Sequence, residues 1–220
     1  MTSHPVETIT HGRVLIEDAA GPFSGRLLVA CHGYAQNAEA MLDDARRIPG
    51  VTEGWRLASV QALHRFYARG DQTVVASWMT RQDRELAIAD NLAYIDRAVE
   101  AAGGADARTI VFLGFSQGAA MAYRAAMCGR YPAAGIIALG GDIPPDVQVD
   151  IARPWPPVLL GAGVRDVWYT AGKLAADERF LTSRGVAHEI VRFDGGHDWT
   201  DEFRLAAGRW LTSCGTLGLE

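Results

Sequence analysis

The chain has few cysteines and no long apolar segment. Cys31, Cys128 and Cys214 are odd in number, far apart and without a Cys-x-x-Cys pair, so a disulfide framework is not predicted. No stretch approaches the length of a membrane-spanning helix, and the N-terminal residues lack the basic start and apolar core of a signal peptide. These absences lead us to expect a protein of a reducing compartment, the cytoplasm, without stable membrane insertion.

Acidic residues outnumber basic ones, 26 to 21, and the formal net charge is −5 at pH 7. Neither nucleic acid nor an anionic membrane is attracted to such a chain, so a small-molecule substrate is favoured over both. The sequence is 220 residues long and 49% hydrophobic, with no repeat, linker or low-complexity tract. We therefore expect one domain over residues 1–220 with a sizeable core, and a homodimer is left open.

The most informative stretch is 109–122, where an apolar, β-branched run leads through Gly-Phe-Ser-Gln-Gly into an alanine-rich segment. This pattern predicts a buried strand, a sharp turn and a helix. A serine on so tight a turn is in strained backbone, and Gly114 and Gly118 are small enough to let strand and helix close. Although an ordinary turn contains Gly-x-Ser-x-Gly by chance, this context predicts that Ser116 is an activated nucleophile.

Buried strands alternate with helices along the chain, which predicts a mainly parallel central sheet with helices on both faces. Further strands are expected at 13–16, 26–31, 55–60, 135–141, 157–163 and 187–193, and helices at 38–48, 83–102, 170–183 and 200–211, while Gly129 and Pro132 end the helix that follows Ser116. The helix at 83–102 is amphipathic, with an expected inner face of Leu86, Ile88, Leu92, Ile95 and Val99.

Polar residues that directly follow strands should meet at the carboxyl edge of such a sheet. A serine nucleophile needs a base, and the base needs an orienting carboxylate. We predict His197 as the base, since it follows the last strand in a glycine-flanked loop, and Asp166 as the acid. Two alternatives stay open: His32 as the base and Asp142, which also ends a strand, as the acid.

No metal site is predicted, although His188, Asp194, His197 and Asp198 cluster in the sequence. His64 and His188 are interpreted as surface or hydrogen-bonded side chains rather than catalytic groups.

Backbone amides are expected to stabilise an oxyanion next to the serine. The turn supplies the amide of Gln117, and the loop after the second strand supplies a second donor, Tyr34, unless His32-Gly33 is only a tight turn.

Aromatic side chains are expected around the site. The segment 61–79 loses its periodicity and becomes aromatic and basic, which is typical of a functional loop or of an irregular surface excursion. We predict that substrate contacts come from Phe66, Tyr67, Trp78 and Trp168, with core packing as the alternative for each.

With these residues in place, the chain from about residue 13 to 212 resembles the phospholipase/carboxylesterase family of α/β-hydrolases, which includes acyl-protein thioesterases. The matching pieces are His32-Gly33, Ser77-Trp78, the 114–119 turn, Gly140-Gly141 with Ile143-Pro144, the 161–166 segment and Gly196-His197. The resemblance implies a Ser-His-Asp hydrolase of carboxylic esters or thioesters, without a cofactor and with little lid.

The chain departs from its relatives at two places. Ala35 stands where they often have glycine, and the stretch after Asp166 lacks their usual proline. The first departure leaves a backbone donor in place, whereas the second leaves the shape of the acyl pocket open.

The leading hypothesis is a serine carboxylesterase for short acyl chains. The alternatives are a long-chain acyl thioesterase or lysophospholipase and, from another class, a non-catalytic binding protein; a nucleotide-binding fold is disfavoured because 161–163 lacks a third glycine in phase.

Overall fold

The computed structural model describes residues 2–149 and 152–214. Its strands are β1 (Arg13–Glu17), β2 (Arg26–Cys31), β3 (Arg56–Gln61), β4 (His64–Tyr67), β5 (Val74–Ser77), β6 (Thr109–Phe115), β7 (Gly135–Leu139), β8 (Val158–Gly163) and β9 (His188–Phe193). Its α-helices are α1 (Ala38–Arg46), α2 (Val51–Gly54), α3 (Arg84–Ala101), α4 (Gln117–Cys128), α5 (Ala171–Ser183) and α6 (Asp201–Cys214), and a 3₁₀ turn spans Pro145–Val147.

Seven strands form the central sheet in the order β1-β3-β2-β6-β7-β8-β9. Every neighbouring pair is parallel except β1 and β3. Strand β6 lies at the centre and is buried along its whole length. The predicted mainly parallel sheet is therefore confirmed. The apolar character of β6 along its whole length follows from its being covered on both faces.

Helices cover both faces of this sheet. Alternate residues of β6 belong to two separate hydrophobic cores, Ile110 and Phe112 to one and Val111 and Leu113 to the other. Helices α3, α4 and α5 supply the first core, and helices α1 and α6 supply the second. This arrangement leaves the carboxyl ends of the parallel strands open at one edge. None of the described helices combines the length and the hydropathy that crossing a bilayer requires.

The segment 61–79 is more regular than the sequence predicted. Strands β4 and β5 form an antiparallel hairpin, in which His64 pairs with Ser77 and Tyr67 with Val74. All four residues of β4 are exposed, so neither face carries the apolar alternation that marks a strand. The hairpin is joined to the loop after β2 through a bridge between Gln36 and Ala76.

The inner face of α3 differs from the predicted one at its start. Leu86 is exposed, and the buried positions of this first turn and the next are Ala87 and Asn91. Asn91 tolerates burial because its amide donates to Trp78 O and Ala87 O, each at 2.8 Å. The buried face of α3 thus begins with a small residue, Ala87, and a polar residue, Asn91. A search for large apolar residues at helical spacing finds neither. Ile95 and Val99 are buried as predicted.

Candidate active site

The turn between β6 and α4 forces Ser116 into strained backbone. Its φ and ψ are 55° and −120°, in a region that L residues rarely adopt. A Cβ added to Gly114 would collide with Gly118 O, and one added to Gly118 would collide with Cys31 O. Both glycines are therefore required by close backbone approach, as the sequence predicted, and the turn presents the Ser116 hydroxyl at the sheet edge.

A chain of hydrogen bonds connects this hydroxyl to a carboxylate. Ser116 Oγ lies 2.7 Å from His197 Nε2, and His197 Nδ1 lies 2.7 Å from Asp166 Oδ2. The three residues come from the loops after β6, β8 and β9, so the edge of the sheet brings together side chains that are distant in sequence. The geometry is that of a nucleophile, a base and an orienting acid.

The loop after β8 fixes the carboxylate of Asp166. Its other oxygen, Oδ1, accepts hydrogen bonds from Trp168 N at 2.7 Å and Tyr169 N at 2.9 Å. Burial opposes ionisation of Asp166, but the hydrogen bonds from His197 and from these two amides outweigh it and hold the pKa below its ordinary value. The carboxylate therefore stays ionised beside the imidazole.

The His197 loop is held against the Asp166 loop by backbone contacts. Val164 N donates to Phe193 O at 3.0 Å, and Arg165 N donates to Gly195 O at 2.9 Å. The imidazole ring packs against Phe115, with ring centroids 5.0 Å apart. His197 is thus positioned by the two loops together rather than by its own loop alone.

His32, the alternative base, has a different environment. Its side chain is fully buried, Nδ1 lies 2.7 Å from Gly33 O, and Nε2 accepts a hydrogen bond from Ala62 N at 3.0 Å. Since Nε2 accepts, the proton is on Nδ1 and is donated to Gly33 O. Burial lowers the pKa of His32 to about 4. Neither nitrogen is available to a serine, so the interpretation of His32 as the base is wrong.

The other candidates for the base and the acid are also placed outside the triad. His64 lies on exposed β4, and His188 Nδ1 lies 2.8 Å from Val186 O. Asp142 forms an ion pair with Lys173, with Oδ1 3.5 Å from Nζ, and does not contact His197. The sequence cluster around His188 does not assemble either: among the described residues, no three His, Cys, Asp or Glu side chains are grouped as metal ligands.

The side chains of Gln117 and Trp78 join the turn to the loop after β2. Gln117 Oε1 accepts a hydrogen bond from Trp78 N at 2.9 Å, and Gln117 Nε2 donates to Met79 O at 2.9 Å. The indole Nε1 of Trp78 donates to His32 O at 2.8 Å. These contacts fix the loop that carries Tyr34 relative to Ser116.

The backbone amides of Tyr34 and Gln117 are both free. Within the described part of the chain, neither amide donates a hydrogen bond to a protein acceptor, and both residues line the cavity that contains Ser116. The loop bends at Ala35, whose φ of 57° lies in the left-handed region that favours glycine. Gln36 Oε1 accepts from Gly33 N at 2.8 Å and closes the loop.

The cavity above the triad has a volume of about 470 Å³. Its lining includes Ser116, His197, Tyr34 and Gln117, together with Asp142, Lys173 and Trp168. No sequence pattern marks Lys173, because a lysine in the first turn of a helix carries no motif. Its position in the segment that follows the predicted acid, Asp166, is the signal that the sequence offers.

The structure separates the aromatic residues predicted to contact substrate. Trp168 is exposed on the cavity wall. Trp78 is fully buried and belongs to the core, so its assignment as a substrate contact is wrong. Phe66 and Tyr67 lie on the β4–β5 hairpin and do not line the cavity. The Phe66 ring packs against the ring of Tyr34, which does line it, with ring centroids 5.7 Å apart. Residue type alone does not distinguish a core aromatic from one on a cavity wall.

Comparisons with known proteins agree with this architecture. The phospholipase/carboxylesterase family model matches residues 73–203, more than half of the chain. The structure is similar to that of esterase PE8, with a TM-score of 0.75, 21% sequence identity and coverage of 93% of this chain and 100% of that chain.

It is also similar to a carboxylesterase from Bacillus cereus, with a TM-score of 0.74, 16% identity and coverage of 92% and 94%. For acyl-protein thioesterase 2 from Zea mays, the values are 0.73, 19%, 93% and 99%. No curated protein sequence matches the chain significantly. Identities this low show a shared fold, while the family model covers Ser116, Asp166 and His197. The chain belongs to the phospholipase/carboxylesterase family of α/β-hydrolases.

Proposed function

We propose that the protein is a serine carboxylesterase that hydrolyses carboxylic esters through Ser116, His197 and Asp166. The observation that carries this proposal is the unbroken series of hydrogen bonds from Ser116 Oγ through the imidazole to the Asp166 carboxylate, at 2.7 Å for each step. A weakly nucleophilic hydroxyl requires such a base, and the base requires the carboxylate to hold its tautomer.

In the first half of the reaction, Ser116 Oγ attacks the acyl carbon while His197 Nε2 takes the hydroxyl proton. The carbonyl oxygen becomes an oxyanion, which accepts hydrogen bonds from the amides of Tyr34 and Gln117. The tetrahedral intermediate collapses, the bond to the alcohol oxygen breaks, and His197 donates its proton to that oxygen. An acyl group is left on Ser116 and the alcohol departs.

In the second half, water attacks the acyl carbon and His197 takes a proton from it. Collapse of the second tetrahedral intermediate breaks the bond to Ser116 Oγ, which regains its proton from His197, and the carboxylic acid is released. Asp166 accepts the Nδ1 hydrogen throughout and stabilises the imidazolium without itself being protonated. Its lowered pKa suits this role, because burial is outweighed by the hydrogen bonds from His197 and two amides.

The position of the oxyanion donors supports the same mechanism. Gln117 is the first residue of α4, so its amide lies at the positive end of the helix dipole. The absence of a protein acceptor for the Tyr34 and Gln117 amides, within the described residues, leaves both able to bind the developing charge. A protein that only bound its ligand would need neither the strained serine nor the aligned base.

Short acyl chains are the proposed substrates, and thioesters would react by the same steps. Trp168, Asp142 and Lys173 line the cavity, and the last two place charges on its wall. Each buried methylene stabilises a bound chain by about 0.8 kcal/mol in an apolar site. Charged side chains oppose that gain, since an alkyl chain would displace their water without replacing its hydrogen bonds.

A series of p-nitrophenyl esters and acyl thioesters of increasing chain length tests this function. We expect kcat/KM to be highest at roughly two to six acyl carbons and to fall beyond, because the charged wall opposes the burial of longer chains. Ser116→Ala should abolish hydrolysis, whereas Ser183→Ala, at an exposed serine on the end of α5, should leave it unchanged. Efficiency that rises steadily to palmitoyl substrates would favour a long-chain thioesterase or lysophospholipase instead.

A further inference from the structure

Lys173 is the single lysine of a chain that contains 21 lysine and arginine residues in total. This one lysine lines the cavity that holds Ser116 and His197. Arginine presents a rigid planar fork suited to fixed pairs with carboxylates, whereas lysine is a compact charge with three donors on a flexible stem. The cavity therefore has the kind of basic side chain that adapts its position to a ligand.

The stability of its own helix does not explain this lysine. Lys173 lies in the first turn of α5, where the helix dipole disfavours a cation. This turn contains no acidic residue, and the side chain of Thr170 makes no capping hydrogen bond. An acidic or neutral residue would suit the position better, so the ammonium group must be explained by what it faces.

Lys173 and Asp142 both line the cavity and form an ion pair there. The Nζ to Oδ1 distance is 3.5 Å, and the side chains are 49% and 52% exposed. Charge-assisted hydrogen bonds are about 2.7 to 2.9 Å long, so this pair is loosely formed. Exposed ion pairs contribute little to folding stability. Both groups therefore keep donor and acceptor capacity that a ligand in the cavity can use.

The charge of the pair indicates the kind of ligand group it fits. Lys173 and Asp142 carry opposite charges, so a charged ligand group that one partner attracts is repelled by the other. A plain alkyl chain would displace water from both charges and offer no hydrogen bond in return. A hydroxyl group is neutral, donates to a carboxylate and accepts from an ammonium, so it satisfies both partners at once.

We propose that Lys173 and Asp142 are specificity-determining residues that select short-chain esters carrying a hydroxyl group on the acyl or the alcohol part. This inference rests on the proposed esterase function and narrows its substrate class. The hydroxyl binds between the ammonium and the carboxylate, while the ester carbonyl lies at Ser116.

Two matched substrate pairs test the inference and distinguish the two positions of the hydroxyl. Ethyl 3-hydroxybutanoate against ethyl butanoate tests the acyl part, and 2-hydroxyethyl butanoate against ethyl butanoate tests the alcohol part. After correction for the rates of alkaline hydrolysis, we expect kcat/KM to favour the hydroxylated ester by about tenfold or more in one pair. In the double variant Lys173→Met/Asp142→Leu, this ratio should fall close to one.

A second ion pair, between Glu178 of α5 and Arg192 of β9, supplies a control. Glu178 and Arg192 lie 3.2 Å apart, are 43% and 52% exposed, and do not line the cavity. The variant Glu178→Leu/Arg192→Met should keep the wild-type ratio, and thermal unfolding should show that both double variants are folded. Hydrolysis of ethyl butanoate without a hydroxyl preference in either pair, or a preference that survives in the Lys173→Met/Asp142→Leu variant, would overturn the inference while leaving the esterase function intact. Failure to hydrolyse any ester would overturn both.

Discussion

The loops after β2 and β9 each contain a histidine next to a glycine at the same edge of the sheet, yet the two side chains differ in every contact. His32 is fully buried, and both of its nitrogens are bonded to the backbone, at Gly33 O and Ala62 N. His197 lies between a hydroxyl and a carboxylate. The comparison shows that sequence position makes a histidine a candidate, whereas the partners of its ring nitrogens decide whether it shapes a loop or transfers a proton.

The largest expected effect is a loss of activity, and it should occur in a variant of the loop after β9 but not in a variant of the loop after β2. His197→Ala should lower kcat by about 10⁴- to 10⁶-fold, since the nucleophile loses its base. The free energy of unfolding should change little, because the ring is partly exposed and packs mainly against Phe115. Steady-state kinetics with a short p-nitrophenyl ester, together with urea unfolding, would check this. Comparable losses of activity in a folded His32→Gln variant would remove the contrast between the two loops.

The second effect concerns the carboxylate that holds the base. Asp166→Asn should lower kcat by on the order of 10³- to 10⁴-fold with the fold intact, because an amide no longer fixes the required tautomer of His197. Asp142→Asn should cost far less, as Asp142 pairs with Lys173 and not with the base. The same kinetic assay on both variants decides which of the two carboxylates acts with His197. Reversed effects would place the acid one strand earlier.

A smaller effect is the pH dependence of stability, which belongs to the His32 loop. Burial lowers the pKa of His32 from an ordinary value of 6.5 to about 4 in the folded state. The unfolded chain therefore binds a proton that the folded chain rejects between these pH values. The part of the free energy of unfolding that depends on His32 is therefore at its full value above pH 6.5. It falls by about 3 kcal/mol in total as the pH is lowered towards 4.

Buried Asp177 acts in the opposite direction. Its burial raises the pKa from 3.8 to about 6, so the folded chain binds a proton first and gains stability as the pH falls through this range. The two groups partly cancel in the wild-type protein. Urea unfolding at pH 7.5, 6 and 5 should show a steeper loss of stability for Asp177→Asn and a shallower one for His32→Gln. Parallel pH profiles for all three proteins would contradict the assigned pKa directions.

The smallest effect concerns the bend of the loop after β2. Ala35 has a φ of 57°, so Ala35→Gly should relieve strain and raise the free energy of unfolding by about 0.5 kcal/mol. Ala176→Gly, at an exposed site within α5, should lower it by about 1 kcal/mol. Urea unfolding of both variants measures the contrast. Destabilisation by Ala35→Gly would show that the alanine side chain contributes more than its strained backbone costs.

Much of the architecture could be predicted because it depends on local patterns. The run before Ser116 is apolar throughout since β6 is covered on both faces, and Gly114 and Gly118 are fixed by backbone contact. Asp166 and His197 could be proposed because the edge of a parallel sheet gathers residues that follow its strands. These inferences need no knowledge of how side chains pack.

The rest depends on packing that the sequence does not encode locally. Trp78 and Trp168 are the same residue type, and only the structure shows that one belongs to the core and the other to the cavity wall. The hairpin of β4 and β5 was not predicted because its first strand has no buried face. Lys173 reaches the cavity through the orientation of α5, which no sequence pattern predicts.

The most direct test of the central claim, that Ser116 is the nucleophile activated by His197, is labelling with a fluorophosphonate probe followed by peptide mapping. The wild-type protein should carry the label on Ser116 alone. Labelling should be strongly slowed in His197→Ala, remain at the wild-type rate in the exposed-serine control Ser183→Ala, and be absent in Ser116→Ala. A label on another residue, or labelling that survives Ser116→Ala, would contradict the account.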